Sequence, residues 1–310
     1  MSTPLFTCIV LSHDKPEHVV EALASLAGQT FPDWEAIVFD SGVLTDRGFF
    51  QQQPVCADPR FRLVRSWETE ELRRTRTVAS WCFNECFRKD LVRGKYVMYL
   101  CDDDLLYPSA FAAFHRYIVD HPGTMAMYGS IDMTVTGSQG QRLLLRESHA
   151  REIKGRICRG GPLDYAVDYL QLCHHVDVFK SFPNDEYWPE DREVIRHADG
   201  IFLEQIGSLF PIYPVREKIG ENRKVPQSLN DGGERLKMLE GLCHRAERIR
   251  RLRRMLPGMD TFLERSGVDR LVSWLLWHWA AFKRNTPLRA LWASCRPRAV
   301  EAPHAGDPSR

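Results

Sequence analysis

Tyr99-Leu-Cys-Asp-Asp-Asp-Leu-Leu-Tyr-Pro108 sets three consecutive carboxylates, Asp102, Asp103 and Asp104, directly after the β-prone run Tyr96 to Leu100. Adjacent anionic side chains at a strand end repel one another unless a cation or solvent compensates them. Two readings stay open on the tripeptide itself. Mg2+ or Mn2+ takes oxygen ligands, is held by one or two protein carboxylates, and completes its shell with water and substrate phosphates. Alternatively, the three carboxylates form a solvated turn that caps the helix after Pro108.

Upstream, Phe6 to Leu11 is a continuous apolar strand, followed by the polar turn Ser12-His-Asp-Lys-Pro16 and a helix over Glu17 to Ala27, with Val20, Leu23 and Leu26 in helical spacing. Trp34 to Phe39 predicts a second strand ending at Asp40, and Phe61 to Val64 a third. Thr77 to Val92 reads as a helix closed by Gly94. Downstream, Ala110 to Val119 reads as a helix, Met125 to Tyr128 as a strand, and Gly137 to Gly140 as a hairpin turn. Strands alternating with helices predict an α/β fold with a mainly parallel sheet, in which ligands bind beyond the carboxyl ends of the strands. Asp40 and Asp102 to Asp104 fall at those ends.

The chain of 310 residues is long enough for one dominant core plus an appendage. With 44% hydrophobic and 27% charged residues it belongs among ordinary globular chains. The 42 Lys and Arg nearly balance 41 Asp and Glu, so net charge gives no argument for a polyanionic partner, and no nucleic acid is expected. Nine cysteines, an odd number with no C-x-x-C pair, read as reduced thiols. The N-terminus lacks a secretory pattern and no stretch is long enough to span a bilayer, which predicts a cytoplasmic protein. The turn after the first strand has no G-x-G-x-x-G, so a nicotinamide-dependent dehydrogenase is not expected. Nor is there the glycine-rich, basic loop of a nucleotidyltransferase.

Taken together, these segments resemble family 2 glycosyltransferases of the GT-A fold. Phe6 to Lys15 is similar to that family's opening strand and turn. Leu23-Ala-Ser-Leu-Ala-Gly-Gln-Thr-Phe-Pro-Asp-Trp-Glu-Ala-Ile-Val-Phe-Asp40 is similar to its helix, Q-T loop and second strand. Arg74-Thr-Arg-Thr, Asn84 and Gly94-Lys-Tyr-Val resemble the stretch before its DxD motif, and residues 99–108 the motif itself. The resemblance spans roughly residues 5–220. It implies a Rossmann-like mixed, mainly parallel sheet with flanking helices, and transfer of a sugar from a nucleotide-diphosphate donor, a UDP-sugar first, to an acceptor hydroxyl with inversion. The acceptor would be a glycan, a lipid-linked sugar or a small molecule. By the same resemblance, Leu11, Ser12, Asp40, Arg76 (or Arg74), Asp102 and His175 contact the donor, and Asp103 is the principal ligand of Mn2+ or Mg2+, flanked by Asp102 and Asp104. Two departures stand out: Asp40 is followed by Ser41 and Gly42 rather than a second acid, and Cys101 fills the first position of the four-residue acidic pattern.

Inverting transfer needs a base for the acceptor proton. In Trp188-Pro-Glu-Asp-Arg-Glu-Val-Ile-Arg-His-Ala-Asp199, which resembles the family's acceptor region, Asp199 is the expected base. Its structural alternative is an N-cap before Ile201 to Ile206, and Glu190 and Asp191 are its nearest competitors. His174 and His175 cannot chelate one ion from a strand, because neighbouring side chains face opposite ways. The domain expectation is a catalytic domain over 1–220, a helical appendage over 221–295 and a disordered tail over 296–310. The Arg-rich segment 245–254 and the tryptophan-bearing segment 271–282 either pack on the core or touch anionic lipid at the inner face of the membrane. The competing functional reading is a GT-A-like module that binds a nucleotide sugar or glycan without turnover.

Overall fold

The computed structural model describes residues 3–41, 48–65, 70–147, 157–160, 167–182, 187–195, 197–226 and 239–244. The chain divides into two compact units, Met1–Arg250 and Arg251–Arg310. Segments 245–254 and 271–282 and the tail over 296–310 lie outside the described residues.

In chain order the elements are β1 (Phe6–Ser12), α1 (Pro16–Ala27), β2 (Trp34–Asp40), β3 (Phe61–Arg65), α2 (Glu70–Thr75), α3 (Val78–Arg88), β4 (Tyr96–Cys101), β5 (Leu105–Leu106), α4 (Ala110–Asp120), β6 (Ala126–Thr136), β7 (Arg142–Glu147), β8 (Leu172–His175), α5 (Ala198–Leu209) and β9 (Ile212–Lys224). They build one mixed sheet in the order β3-β2-β1-β4-β8-β6-β9-β5, with β7 alongside β6. The first four strands of that order are mutually parallel. β8 then runs antiparallel to both β4 and β6, and β9 is parallel to β6.

Every residue of β1 and β2 is buried, as expected of parallel strands covered on both faces. Their side chains divide by strand alternation into two cores. Cys8, Val10, Ala36, Val38, Met98 and Leu100 pack with Val19, Leu23 and Leu26 of α1 and Phe111 and Phe114 of α4. Ile9, Ile37, Phe39, Val97 and Tyr99 pack with Cys82, Phe83 and Cys86 of α3 and Phe202, Leu203 and Ile206 of α5. The eight described cysteines are free thiols.

The sequence places α3 through Val92 with Gly94 as its stop, but the helix ends at Arg88 and Asp90 takes the left-handed turn, with φ 50°. Gly94 answers a different need: a Cβ there would sit 2.4 Å from the Thr7 backbone nitrogen, so only glycine lets this loop pass β1. The Gly137 to Gly140 turn does join β6 to β7, closed by the Gly137 amide donating to the Gln141 carbonyl at 2.8 Å. Strand register then fixes the site. Ser12 stands level with Asp40, Leu11 with Cys101, and Asp40 with Arg65, so the carboxyl ends of β1, β2, β3 and β4 share one edge.

Candidate active site

At that edge the chain leaves β4 into Asp102, Asp103 and Asp104, which are only 2%, 7% and 2% exposed. Buried carboxylates require donors or cations. The loop after β1 supplies some of them. The His13 amide donates to Asp102 Oδ2 at 2.9 Å, and Lys15 Nζ lies 2.8 Å from Asp102 Oδ1 and 3.2 Å from Asp103 Oδ2. β9 supplies others: the Arg223 amide donates to Asp104 Oδ1 at 3.0 Å, while its guanidinium reaches the Asp103 carbonyl and Glu21 of α1.

Burial still dominates the titration of two of the three acids. Burial raises the Asp102 carboxyl above its usual range against the pull of Lys15. Asp104 is driven well above that range, first by burial and then by the charges of Asp103 and Asp168. Burial alone would make the Lys15 ammonium easier to deprotonate, but Asp103 and Asp102 outweigh it and hold the proton more tightly than usual. The Ser12 hydroxyl and one Arg223 amino group are buried with no hydrogen-bond partner among the described residues.

The donor atoms of Cys101, Asp103 and Asp104 lie within 4.8 Å of one another. Two carboxylates at this spacing fit a hard divalent cation. The Cys101 thiol suits it less: burial and the three neighbouring carboxylates keep it protonated, and it contacts the Tyr169 hydroxyl. Among the described residues, Asp103 and Asp104 are thus a carboxylate pair that could hold a divalent cation.

The remaining expected donor contacts are spread unevenly. Ser12 and Asp40 are at the edge, both fully buried, with Arg65 Nε donating to Asp40 Oδ2 at 2.7 Å. Leu11 is packed into the core. Arg76 follows α2 and reaches Glu190, whose other oxygen accepts from Asn84 Nδ2 and Arg88, both at 2.7 Å. Asn84 also exchanges hydrogen bonds with the Trp188 backbone at 2.9 and 3.0 Å, and the Thr77 amide donates to the Glu190 carbonyl at 2.7 Å. Glu190 is therefore committed to locking residues 188–191 onto α3. Asp199 is half-buried in the first turn of α5, its Oδ1 accepting from the Gly200 amide at 2.8 Å. The N-cap position belongs to His197 rather than to Asp199. α5 is held to β4 through Phe202, which stacks on Trp188 and meets the Tyr99 ring edge-on.

His175 is not brought to the acidic edge. Because β8 is antiparallel to β4, it stands opposite Tyr96 at the start of that strand. Six residues of strand, about 20 Å, separate that position from Asp102. There His175 meets the Tyr96 ring edge-on and accepts from the Asp177 amide at 3.1 Å. Lys15 and Arg223 are the site residues that the sequence conceals. Lys15 lies in a turn read only as polar, and Arg223 in a charged run, Glu221-Asn-Arg-Lys224, that lacks the apolar pattern of a strand.

No protein-family profile matches the chain. Protein CgeD of Bacillus subtilis (strain 168) is 20% identical over 225 residues, which cover 72% of this chain and 51% of CgeD. Among solved structures, S. aureus TarS 1-349 superposes with a TM-score of 0.52 at 16% identity, covering 70% of this chain and 60% of that one. The same TarS segment in complex with UDP gives 0.51 at 16% identity, covering 77% and 64%. The chain spans about half the length of its curated relative and under two-thirds of these structures. At such identities the likeness establishes the fold. It is a mixed α/β, GT-A-like fold shared with glycosyltransferase structures.

Proposed function

We propose that this chain is a metal-dependent glycosyltransferase that moves a sugar from a nucleotide-diphosphate donor to an acceptor hydroxyl with inversion. The observation that carries the reading is the run of three almost fully buried carboxylates at the carboxyl edge of the parallel strands, where the Ser12 hydroxyl has no hydrogen-bond partner among the described residues. Ligands of α/β sheets bind at this edge, and three adjacent buried carboxylates there are costly for structure alone. The GT-A-like fold and the capture of TarS with UDP support a uridine nucleotide as first candidate.

In this reading Asp103 and Asp104 hold Mn2+ or Mg2+, with Asp102 beside them. The ion, when bound, offsets the charge that grows on the departing diphosphate. Asp40 and Ser12 receive the nucleoside, and Arg76, fixed by Glu190, faces the nucleotide. Asp199 accepts the proton of the attacking hydroxyl, which reaches the anomeric carbon from the face opposite the diphosphate. No covalent intermediate is needed. A glycan, a lipid-linked sugar or a small molecule would serve as acceptor, and peripheral membrane contact through 245–254 and 271–282 belongs to the same proposal. No described helix is long and apolar enough to cross a membrane.

The test is donor-dependent release of UDP in the presence of Mn2+ across an acceptor panel, with the product's anomeric configuration read by NMR. Wild type should turn over with inversion, and Asp199→Asn should lose about 1000-fold in kcat while still binding donor. Donor binding without release of UDP for every acceptor would point instead to a non-catalytic sugar-nucleotide module. A retained configuration would remove Asp199 as the base of an inverting step.

A further inference from the structure

The ammonium of Lys15 occupies the position a cation needs between Asp102 and Asp103, 2.8 Å from an oxygen of one and 3.2 Å from an oxygen of the other. Its side chain is 11% exposed, and that of Asp103 10%, so this is the side of the cluster that water and a ligand can reach. We propose that Lys15 is the resident counter-ion of the acidic cluster, competes with the divalent ion for it, and moves to the donor's diphosphate when that ion binds. The inference rests on the metal-dependent donor reading above.

Three features support exchange rather than a fixed ion pair. First, a dication held by Asp103 and Asp104 would stand a few ångströms from the ammonium, and two cations at that spacing in a buried site repel strongly. Second, the backbone of Lys15 is anchored independently of its head, whose described partners are the two carboxylates themselves. Its carbonyl accepts from the Val19 amide at 3.0 Å in the first turn of α1, and Pro16 follows, so a four-carbon stem can swing without moving the loop. The His13 amide stays on Asp102 Oδ2, keeping loop and cluster together during the exchange. Third, Arg223, which also meets the cluster, cannot play this part. Arg223 is tied by its amide to Asp104, by Nε to the Asp103 carbonyl and by its guanidinium to Glu21. Removing Lys15 from between the carboxylates frees a positive charge at the point where a diphosphate would bring negative charge.

The experiment is titration of Mn2+ into the full chain without nucleotide, followed by electron paramagnetic resonance of the free ion, for wild type, Lys15→Met and Lys15→Arg. Lys15→Met should bind Mn2+ about tenfold more tightly than wild type, because its competitor is gone, and Lys15→Arg should not. At saturating Mn2+, calorimetry should show UDP bound about tenfold more weakly by Lys15→Met, which lacks the cation that meets the diphosphate. Mn2+ affinity in Lys15→Met equal to or below that of wild type overturns the inference, and if wild type still binds UDP with Mn2+ the donor reading survives alone. If neither protein binds Mn2+ or UDP, both readings fall. Should Lys15→Met be unfolded without metal, melting curves decide: Mn2+ must raise its Tm more than that of wild type, and an equal or smaller rise contradicts the exchange.

Discussion

Glu190 and Asp102 are hidden from water to the same degree, each 2% exposed, yet their surroundings differ in kind. Glu190 is met on one oxygen by Arg76 and on the other by Asn84 and Arg88, while the backbone on either side is tied to Thr77 and Asn84. Asp102 accepts from the His13 amide and shares Lys15 with Asp103, and next to it Asp104 accepts from the Arg223 amide. One carboxylate is met by two guanidiniums and a side-chain amide, whereas three adjacent carboxylates crowd around one ammonium and two main-chain amides. Burial alone does not separate a structural acid from a functional one. The match between the acid and its donors does.

That contrast can be broken by mutation. Glu190→Gln removes the charge that two arginines share, so the fold should lose about 3 kcal/mol in urea unfolding, toward the low end for breaking a buried pair because Arg76 is half-exposed. A loss well under 1 kcal/mol would mean that the Glu190 network is no more structural than the acidic cluster.

A third buried titratable group sharpens the comparison. His174 is enclosed on β8 with Nδ1 3.0 Å from the His175 carbonyl, which only a donor can satisfy, so Nε2 accepts from the Tyr99 hydroxyl at 2.9 Å. The ring is thus held neutral, and burial lowers its pKa from 6.5 to about 4. In the unfolded chain the histidine takes up its proton near 6.5, so the stabilising term is present above that pH and is lost as pH falls toward 4. Unfolding free energy should drop by about 2 kcal/mol between pH 7 and pH 5, and His174→Gln should remove that part of the pH dependence. An unchanged profile in the variant would show that this histidine titrates alike in both states.

Much of the fold was legible because it rests on burial. β1, β2, β3 and β4 are read to within a residue or so of their ends from apolar runs, and α1 and α4 from their helical spacing. The acidic edge follows from them, since strand ends that align place Ser12, Asp40 and Asp102 together. What was hidden depends on pairing across the sheet. The second half of β9 is polar yet buried because its side chains have partners far away in sequence: Glu221 with Thr134 at 2.6 Å, Asn222 with Asp168 at 3.1 Å, Arg223 with the Asp103 carbonyl and Glu21. The expectation of His175 beside the donor depended on strand direction, which two adjacent histidines do not encode. The role of Asn84, clasping the backbone of Trp188, needs a contact over 104 residues that no local pattern announces.

The central claim is that the buried carboxylates of Asp102, Asp103 and Asp104 are there to hold a metal and, through it, a nucleotide. Calorimetric titration of UDP and other nucleoside diphosphates, with and without Mn2+, into wild type and Asp103→Asn tests it most directly. The account predicts that wild type binds one nucleotide only when Mn2+ is present and that Asp103→Asn, though folded, loses that binding at least 100-fold. Absence of nucleotide binding by wild type under either condition, or equal binding by the variant, would contradict it.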